Sequence, residues 1–155
     1  IWEKKELPLH NDAVDADDMD GDGVPEIAIA CSRESTLLTP DGKILWRKPH
    51  KYSQHAVIGS FVPGRDKQVV FVDRIDARSP DGGIVYCYRK DGTELWHTRP
   101  QGGITIASTI DGWSGEQGRS FVLLYRRACG PPALLDGQGR QVAEFPFPPA
   151  QTGEG

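Results

Sequence analysis

The chain has 155 residues, of which 37% are hydrophobic and 26% are charged, and its formal net charge is −4. This composition predicts a single folded domain or a piece of a larger one, and it argues against disorder. The acidic balance argues against nucleic acid and anionic membrane as partners, and no apolar run approaches the roughly 18 residues that a membrane span needs.

Short apolar runs alternate with turn signals along the whole sequence. In chain order the runs are EIAIAC, STLLT, KILW, HAVIGSF, QVVFV, GIVYCY, TELW, ITIAS, FVLLY and ALLD. They are rich in β-branched residues, and none keeps the 3.6-residue period of a helix. This spacing predicts an all-β fold.

The sequence also contains an internal repeat. The segment TPDGKILWRK at 39–48 matches RKDGTELWHT at 89–98, because each has an Asp-Gly turn followed by a strand that reaches tryptophan. A weaker third copy, DGQGRQVAEF at 136–145, has Ala143 where the tryptophan would stand. Each repeat has room for four strands, and four antiparallel strands in about 40 to 50 residues are typical of a β-propeller blade.

Three blades are therefore expected, at about 5–48, 49–98 and 99–147, with a flexible tail at 148–155. Propellers close with about four to eight blades, so three blades cannot form a ring alone. We expect the remaining blades from the same or another chain, in a propeller of about seven or eight blades.

The segment DDMDGDGVPE at 17–26 carries five acidic side chains and two glycines. Three carboxylates spaced two residues apart can surround one hard cation if the chain turns sharply, which glycine permits. Oxygen ligands on a flexible, charge-dense loop favour Ca²⁺ over Mg²⁺, zinc or copper. The predicted ligands are the carboxylates of Asp18, Asp20, Asp22 and Glu26 and the carbonyl of Val24. An EF-hand is excluded because Ile29 stands where that loop needs a glutamate.

These residues also carry a resemblance. DDMDGDGVPEIAIA resembles the calcium-binding repeats of FG-GAP or VCBS type in integrin-like and bacterial carbohydrate-active propellers. HAVIGSFVPGRDKQVVFVDR at 55–74 and the paired DGKILW and DGTELW hairpins are similar to calcium-containing rhamnogalacturonan lyases. The resemblance implies Ca²⁺ as cofactor, an acidic polysaccharide as partner and an extracellular or periplasmic location. The second repeat lacks the three spaced aspartates, and the third offers only Asp111 and Glu116 as a weaker candidate for a metal site.

Aligning the repeats predicts a second site at the other end of the blades. Glu26, Gln68 and Ser120 are taken to begin equivalent strands, which makes Arg74 equivalent to Arg126 and Arg33 to Arg127. Because the acidic loop joins the first two strands of its blade, these arginines are expected at the opposite end, beside the strand entries with His10 and His55. Guanidinium groups pair bidentately with carboxylates, so this end is predicted to bind a polyanion.

A lyase of uronate polymers must neutralise the substrate carboxylate, remove the C5 proton and protonate the leaving oxygen. His55, Tyr125 and Arg126 are the catalytic candidates. The substrate-binding candidates are Arg33, Arg74, Arg127 and Trp113, the last as a platform for a sugar ring.

Structural roles are open alternatives for the same residues. His55 is also suited to cap a strand, Tyr125 to pack between blades, and the arginines to bridge blades through Glu34, Asp73 or Asp76. The alternative to a lyase is accordingly a non-catalytic propeller that binds carbohydrate or protein.

Overall fold

The computed structural model describes residues 3, 7, 10–64, 66–74, 82–100, 104–113, 115, 117–126 and 130–146, with only the backbone described at 104, 105 and 126. Within these residues the chain is all-β, and its strands form three four-stranded antiparallel sheets. The first sheet contains β1 (Asn11–Asp17), β2 (Glu26–Cys31), β3 (Glu34–Leu38) and β4 (Ile44–Pro49). The second contains β5 (Ser53–Gly59), β6 (Gln68–Asp73), β7 (Ile84–Tyr88) and β8 (Glu94–Thr98). The third contains β9 (Ile104–Asp111), β10 (Ser120–Arg126), β11 (Ala133–Leu135) and β12 (Gln141–Glu144).

Each sheet runs through its four strands in sequence order, as the repeat predicts. The last two strands of each sheet form a hairpin whose turn contains Gly42, Gly92 or Gly139, with φ of 84°, 84° and 75°. Glycine is the residue that adopts this left-handed conformation without steric cost, so the Asp-Gly and Gln-Gly signals in the sequence mark real turns.

Strand pairing places equivalent residues of the three sheets in matching rows. The tryptophan of the repeat ends the row Asp15–Ala28–Leu37–Trp46 in the first sheet and the row Val57–Val70–Cys87–Trp96 in the second. The matching row of the third sheet is Ser108–Leu123–Leu134–Ala143. Ala143 therefore occupies the position of the two tryptophans, and this expectation is confirmed.

The same rows correct the alignment of β10 by one residue. Phe121, and not Ser120, corresponds to Glu26 and Gln68, so Arg126 corresponds to Asp73 and not to Arg74. The physical reason is the alternation of side chains along the strand, because Val122 and Leu124 are buried against the second sheet. Glu26, Gln68 and Ser120 each begin a strand, as predicted, but β10 begins one residue earlier relative to the matching rows.

The three sheets pack side by side in chain order. Ala28, Ala30 and Leu37 of the first sheet share a buried cluster with residues of the second, including Val69 and Phe71. The opposite surface of the second sheet packs on the third in the same way. Among the described residues no helix is long and apolar enough to cross a membrane.

The two sheet-to-sheet contacts share a tryptophan hydrogen bond. Trp46 Nε1 donates to the carbonyl of Lys90 at 2.9 Å, and Trp96 Nε1 donates to the carbonyl of Gly137 at 2.7 Å. Lys90 and Gly137 hold the same position in their hairpin turns, two residues before the turn glycine. Each indole therefore fixes the last strand of one sheet to the hairpin of the next.

Candidate functional site

The sheets have two ends. The loop end carries the connections between the first and second strands of each sheet, at 18–25, 60–67 and 112–119. The entry end is the opposite one, where β1, β5 and β9 begin.

The acidic loop at 18–25 is organised around Asp18. Its Oδ1 accepts the amide N–H of Gly21 at 2.7 Å and of Asp22 at 3.2 Å, and its Oδ2 accepts that of Gly23 at 2.9 Å. Both glycines have positive φ, 78° and 87°, which lets the chain curl over the carboxylate. The amide of Gly23, followed by those of Gly21 and Asp22, holds the pKa of Asp18 below its ordinary value against the opposing effect of desolvation.

Three of the predicted metal ligands lie together. One carboxylate oxygen from each of Asp18, Asp20 and Asp22 lies within 4.8 Å of the others. Asp20 Oδ1 is buried and has no hydrogen-bond partner among the described residues. Like charges this close repel one another, and an oxygen-only donor set suits Ca²⁺. The loop therefore fits the predicted ion.

The other two predicted ligands are placed differently. Glu26 is only 2% exposed, and its Oε2 accepts the amide N–H of Met19 at 3.0 Å. Val24 donates its own amide to Asp22 Oδ1 at 2.8 Å, which closes the loop from the other side. Within the described chain the acidic cluster consists of three aspartates, and Glu26 is not a member of it.

Two lysines of the second sheet neutralise the acidic segment. Lys90 Nζ lies 2.6 Å from Asp20 Oδ2 and 2.7 Å from Glu26 Oε1, and Lys67 Nζ lies 2.6 Å from Asp17 Oδ2. Desolvation opposes the charge of Lys90, but the hydrogen bonds to the two carboxylates outweigh it and raise the pKa of the ammonium above its ordinary value. The sequence analysis missed both lysines, because no pattern within one repeat shows which residues of the next repeat contact it.

The loop end also contains a cavity of about 390 Å³ between the sheets. Its polar lining includes Asp17, Lys67, Thr109, Asp111 and Ser120. Asp111, the weaker metal candidate, accepts the hydroxyl of Ser120 at 2.7 Å, and Glu116 lies outside the described residues. Asp111 is equivalent to Asp18, because the pair Ile110–Phe121 matches Asp17–Glu26, but the residues after it supply no second aspartate.

The entry end brings several of the predicted residues together. Ser32 donates its amide to the carbonyl of His10, and Arg74 donates its amide to the carbonyl of Tyr52 at 2.8 Å. The Arg74 guanidinium lies over the Tyr52 ring at 5.8 Å from its centroid, and His10 meets the same ring edge-on. Arg33 is exposed, and its carbonyl accepts the amide of His50. Arg74 and His10 therefore meet at the Tyr52 ring, and Arg33 lies in the turn between β2 and β3 at the same end.

A polar chain links the first two sheets at the entry end. Arg74 Nη1 donates to Gln54 Oε1 at 3.1 Å, and Gln54 Nε2 donates to Asp12 Oδ1 at 3.0 Å. Asp12 and Gln54 are the bulged residues of β1 and β5, and Thr105 is the corresponding bulge of β9. A bulge redirects a side chain, which here lets Gln54 reach the neighbouring sheet.

Of the predicted catalytic residues, His55 and Tyr125 have described side chains, and these two share no hydrogen bond or ring contact. His55 is partly buried, and its Nδ1 has no partner among the described residues. Desolvation lowers the pKa of His55, and the nearby Asp15 opposes that shift. The side chain of Arg126 and all of Arg127 lie outside the described residues.

The residues equivalent to Tyr125 in the other two sheets are buried. Tyr125 is 46% exposed, whereas Ala30 and Val72 in the same row of the other sheets are both 0% exposed. This row favours the packing role that the sequence left open for Tyr125.

Trp113 lies in the 112–119 loop at the loop end, away from the arginines. It is exposed, and its ring meets Phe145 edge-on at 5.3 Å between centroids. It therefore cannot share one short ligand subsite with Arg33 and Arg74.

No family model and no curated protein matches the chain. Among solved structures the chain is similar to the V. cholerae biofilm matrix protein Bap1, with 15% identity and a TM-score of 0.38 over 83% of this chain and 27% of that one. It is also similar to a protein of unknown function from Bacteroides caccae, with 14% identity and a TM-score of 0.30 over 88% of this chain and 60% of that one. The chain thus spans about a quarter of the first and 60% of the second. Neither likeness identifies a family.

Proposed function

We propose that the chain is a calcium-stabilised segment of a larger β-propeller whose entry end binds an acidic polysaccharide. The observation that carries the propeller is the exposure of the two outer sheets. Val14 is 67% exposed, while Ala56 and Ala107 in the same row are 2% and 1% exposed because a preceding sheet covers them.

The exposed side chains at each end of the array form the surfaces on which further blades pack. On the first sheet this surface includes Val14, and on the third it includes Ile106 and Tyr125, which are 47% and 46% exposed. In the interior of the array the equivalent rows are covered by a neighbouring sheet of the same kind. Further blades from the same or another chain satisfy both surfaces in the same way.

In this proposal Ca²⁺ binds Asp18, Asp20 and Asp22 and fastens the turn between β1 and β2. An ion that binds only the folded state stabilises it by about 2.7 kcal/mol at a free concentration of 100 times Kd. Excess chelator is therefore expected to lower the melting temperature, and calcium to restore it. An unchanged melting temperature in both solutions contradicts the calcium proposal. Loops of this kind suit extracellular or periplasmic calcium concentrations, and we propose that location.

The Arg74 guanidinium over the Tyr52 ring and the exposed Arg33 at the same end support the binding of an acidic polymer. Affinity for polygalacturonate, with a neutral polysaccharide as control, tests this directly. Arg33→Gln is expected to weaken binding several-fold, since it removes an exposed guanidinium. Arg47→Gln, which changes an arginine of the outermost strand β4 that contacts Glu34, is the matched control. Equal loss in both variants, or equal affinity for the neutral polymer, contradicts the assignment.

A lyase is the second candidate, and His55 favours it because the buried Nδ1 of its imidazole has no partner among the described residues. A general base must be unprotonated at working pH to accept a proton. β-Elimination of a uronate polymer creates an unsaturated product that absorbs in the ultraviolet. The complete protein is expected to produce this absorbance on rhamnogalacturonan, pectin or ulvan, and His55→Gln to abolish it. Absence of the signal on all three substrates leaves the non-catalytic binding module.

A further inference from the structure

Lys90 contacts two different features of the first sheet from the hairpin turn of the second. Its carbonyl accepts the indole N–H of Trp46, and its ammonium lies between Asp20 and Glu26 of the acidic segment. One residue therefore joins the tryptophan contact to the acidic loop.

The residue types at this turn position match what each loop presents. The three equivalent positions are Pro40, Lys90 and Gly137. Gly137 faces the 60–67 loop, where a Cβ at this glycine would lie 1.9 Å from the carbonyl oxygen of Phe61. Lys90 faces the acidic loop, where carboxylates are available for its charge. Of the two described interfaces between sheets, the one with the aspartate cluster is thus the one with the lysine.

The contacts of Lys90 divide the carboxylate oxygens into two groups. Glu26 has Oε2 on the Met19 amide and Oε1 on Lys90, so both of its oxygens are engaged. Asp20 has Oδ2 on Lys90, while its Oδ1 is buried and has no partner among the described residues. The oxygens of the cluster without an ammonium contact are those of Asp18 and Asp22, which accept backbone amides, and the Oδ1 of Asp20.

We propose that Lys90 is an internal cation of the acidic loop, which holds Glu26 out of the ligand set and weakens calcium binding while keeping the loop folded without metal. This inference rests on the calcium site proposed above. A positive charge in contact with one ligand repels an incoming cation, and affinity in such loops depends on the number of ligand charges. Removing the ammonium should therefore tighten metal binding and destabilise the metal-free protein.

The variants Lys90→Met and Lys67→Met test this as a matched pair. Both remove one ammonium that bridges the first two sheets, but Lys67 contacts Asp17, which lies outside the aspartate cluster. Calcium Kd is measured by titration calorimetry, and melting temperature is measured in chelator and in calcium. Lys90→Met is expected to lower the melting temperature in chelator, to recover most of it in calcium, and to bind Ca²⁺ roughly tenfold more tightly. Lys67→Met is expected to leave Kd within about twofold of the parent value.

The outcomes separate this inference from the calcium proposal. If neither the parent nor Lys90→Met binds calcium, the calcium proposal fails and the inference fails with it. If the parent binds calcium and Lys90→Met binds it equally or more weakly, only the role of Lys90 is overturned. A double variant, Lys90→Met with Glu26→Gln, covers the case in which Lys90→Met does not fold. Because it removes both charges, it should regain metal-free stability and return Kd toward the parent value.

Discussion

The 18–25 and 60–67 loops hold equivalent places in the first and second sheets, and each lies against the sheet that follows. Each inserts one large side chain, Met19 or Phe61, and both side chains are 0% exposed. Each is closed by the residue that begins the second strand. Glu26 accepts the amide of Met19, and Gln68 accepts the amide of Val62 at 2.7 Å.

The difference between the loops lies in how charge is balanced. The first loop has three clustered aspartates and the buried Glu26, and Lys90 of the second sheet supplies a positive charge in contact with them. The second loop has neutral Gln68 at the position of Glu26, and Gly137 of the third sheet packs closely on the backbone of Phe61. A repeat can thus keep one backbone plan and exchange a charged interface for a close-packed one, provided that the facing turn changes with it.

The largest effect is expected from truncating the buried side chains of the two loops. Phe61→Ala should lower the free energy of unfolding by about 4 kcal/mol and Met19→Ala by about 3 kcal/mol, because each leaves a cavity between sheets. Urea unfolding monitored by circular dichroism measures both. A much smaller loss for Phe61→Ala would show that the second loop is not close-packed, which would contradict the proposed difference between the two loops.

Exchanging the residues that close the loops tests the charge balance. Gln68→Glu should cost about 2 kcal/mol, because it buries a carboxylate and removes the side-chain N–H that donates to the carbonyl of Asp66. Glu26→Gln should cost less, about 1 kcal/mol, because Lys90 keeps its contact with Asp20. Thermal unfolding of both variants in chelator gives the comparison. Equal stability of Gln68→Glu and the parent protein would mean that the second loop tolerates charge without a lysine.

The smallest effect is expected where the two interfaces are alike. Trp46→Phe and Trp96→Phe each remove one indole donor from a carbonyl of the facing turn, and each should cost about 1 kcal/mol. The two losses should be similar, as measured by urea unfolding. A loss confined to one variant would show that the tryptophan contact is not a shared part of the repeat.

Much of the fold was predictable because it depends on local pattern. The Asp-Gly turns, the β-branched runs and the position of Ala143 are all visible within one repeat. In the second sheet, β5 to β8 overlap the apolar runs HAVIGSF, QVVFV, GIVYCY and TELW. The one-residue shift of β10 was missed because it depends on which residues the second sheet buries, and loop length does not carry that information.

The site was predictable to a different degree at each end. Asp18, Asp20 and Asp22 are neighbours in sequence, so their clustering follows from spacing and glycine. The entry end was inferred from strand direction, which correctly placed Arg33 and Arg74 but could not show that Gln54 bonds Arg74 to Asp12. Lys90 lies 64 residues after Glu26 in the chain, and only packing between sheets reveals the contact.

The tryptophan contacts run in one direction, from the last strand of a sheet to the hairpin of the sheet that follows. The loss of one sheet therefore removes a hydrogen bond from the sheet before it, because the indole of that sheet loses its acceptor. In arrays with nearest-neighbour contacts of this kind, the stability of each unit depends on the units beside it. For this chain, removal of residues 99–155 would take the acceptor from Trp96 and uncover Val57 and Val70 of the second sheet, while the Trp46 contact beside the acidic loop would keep both of its partners.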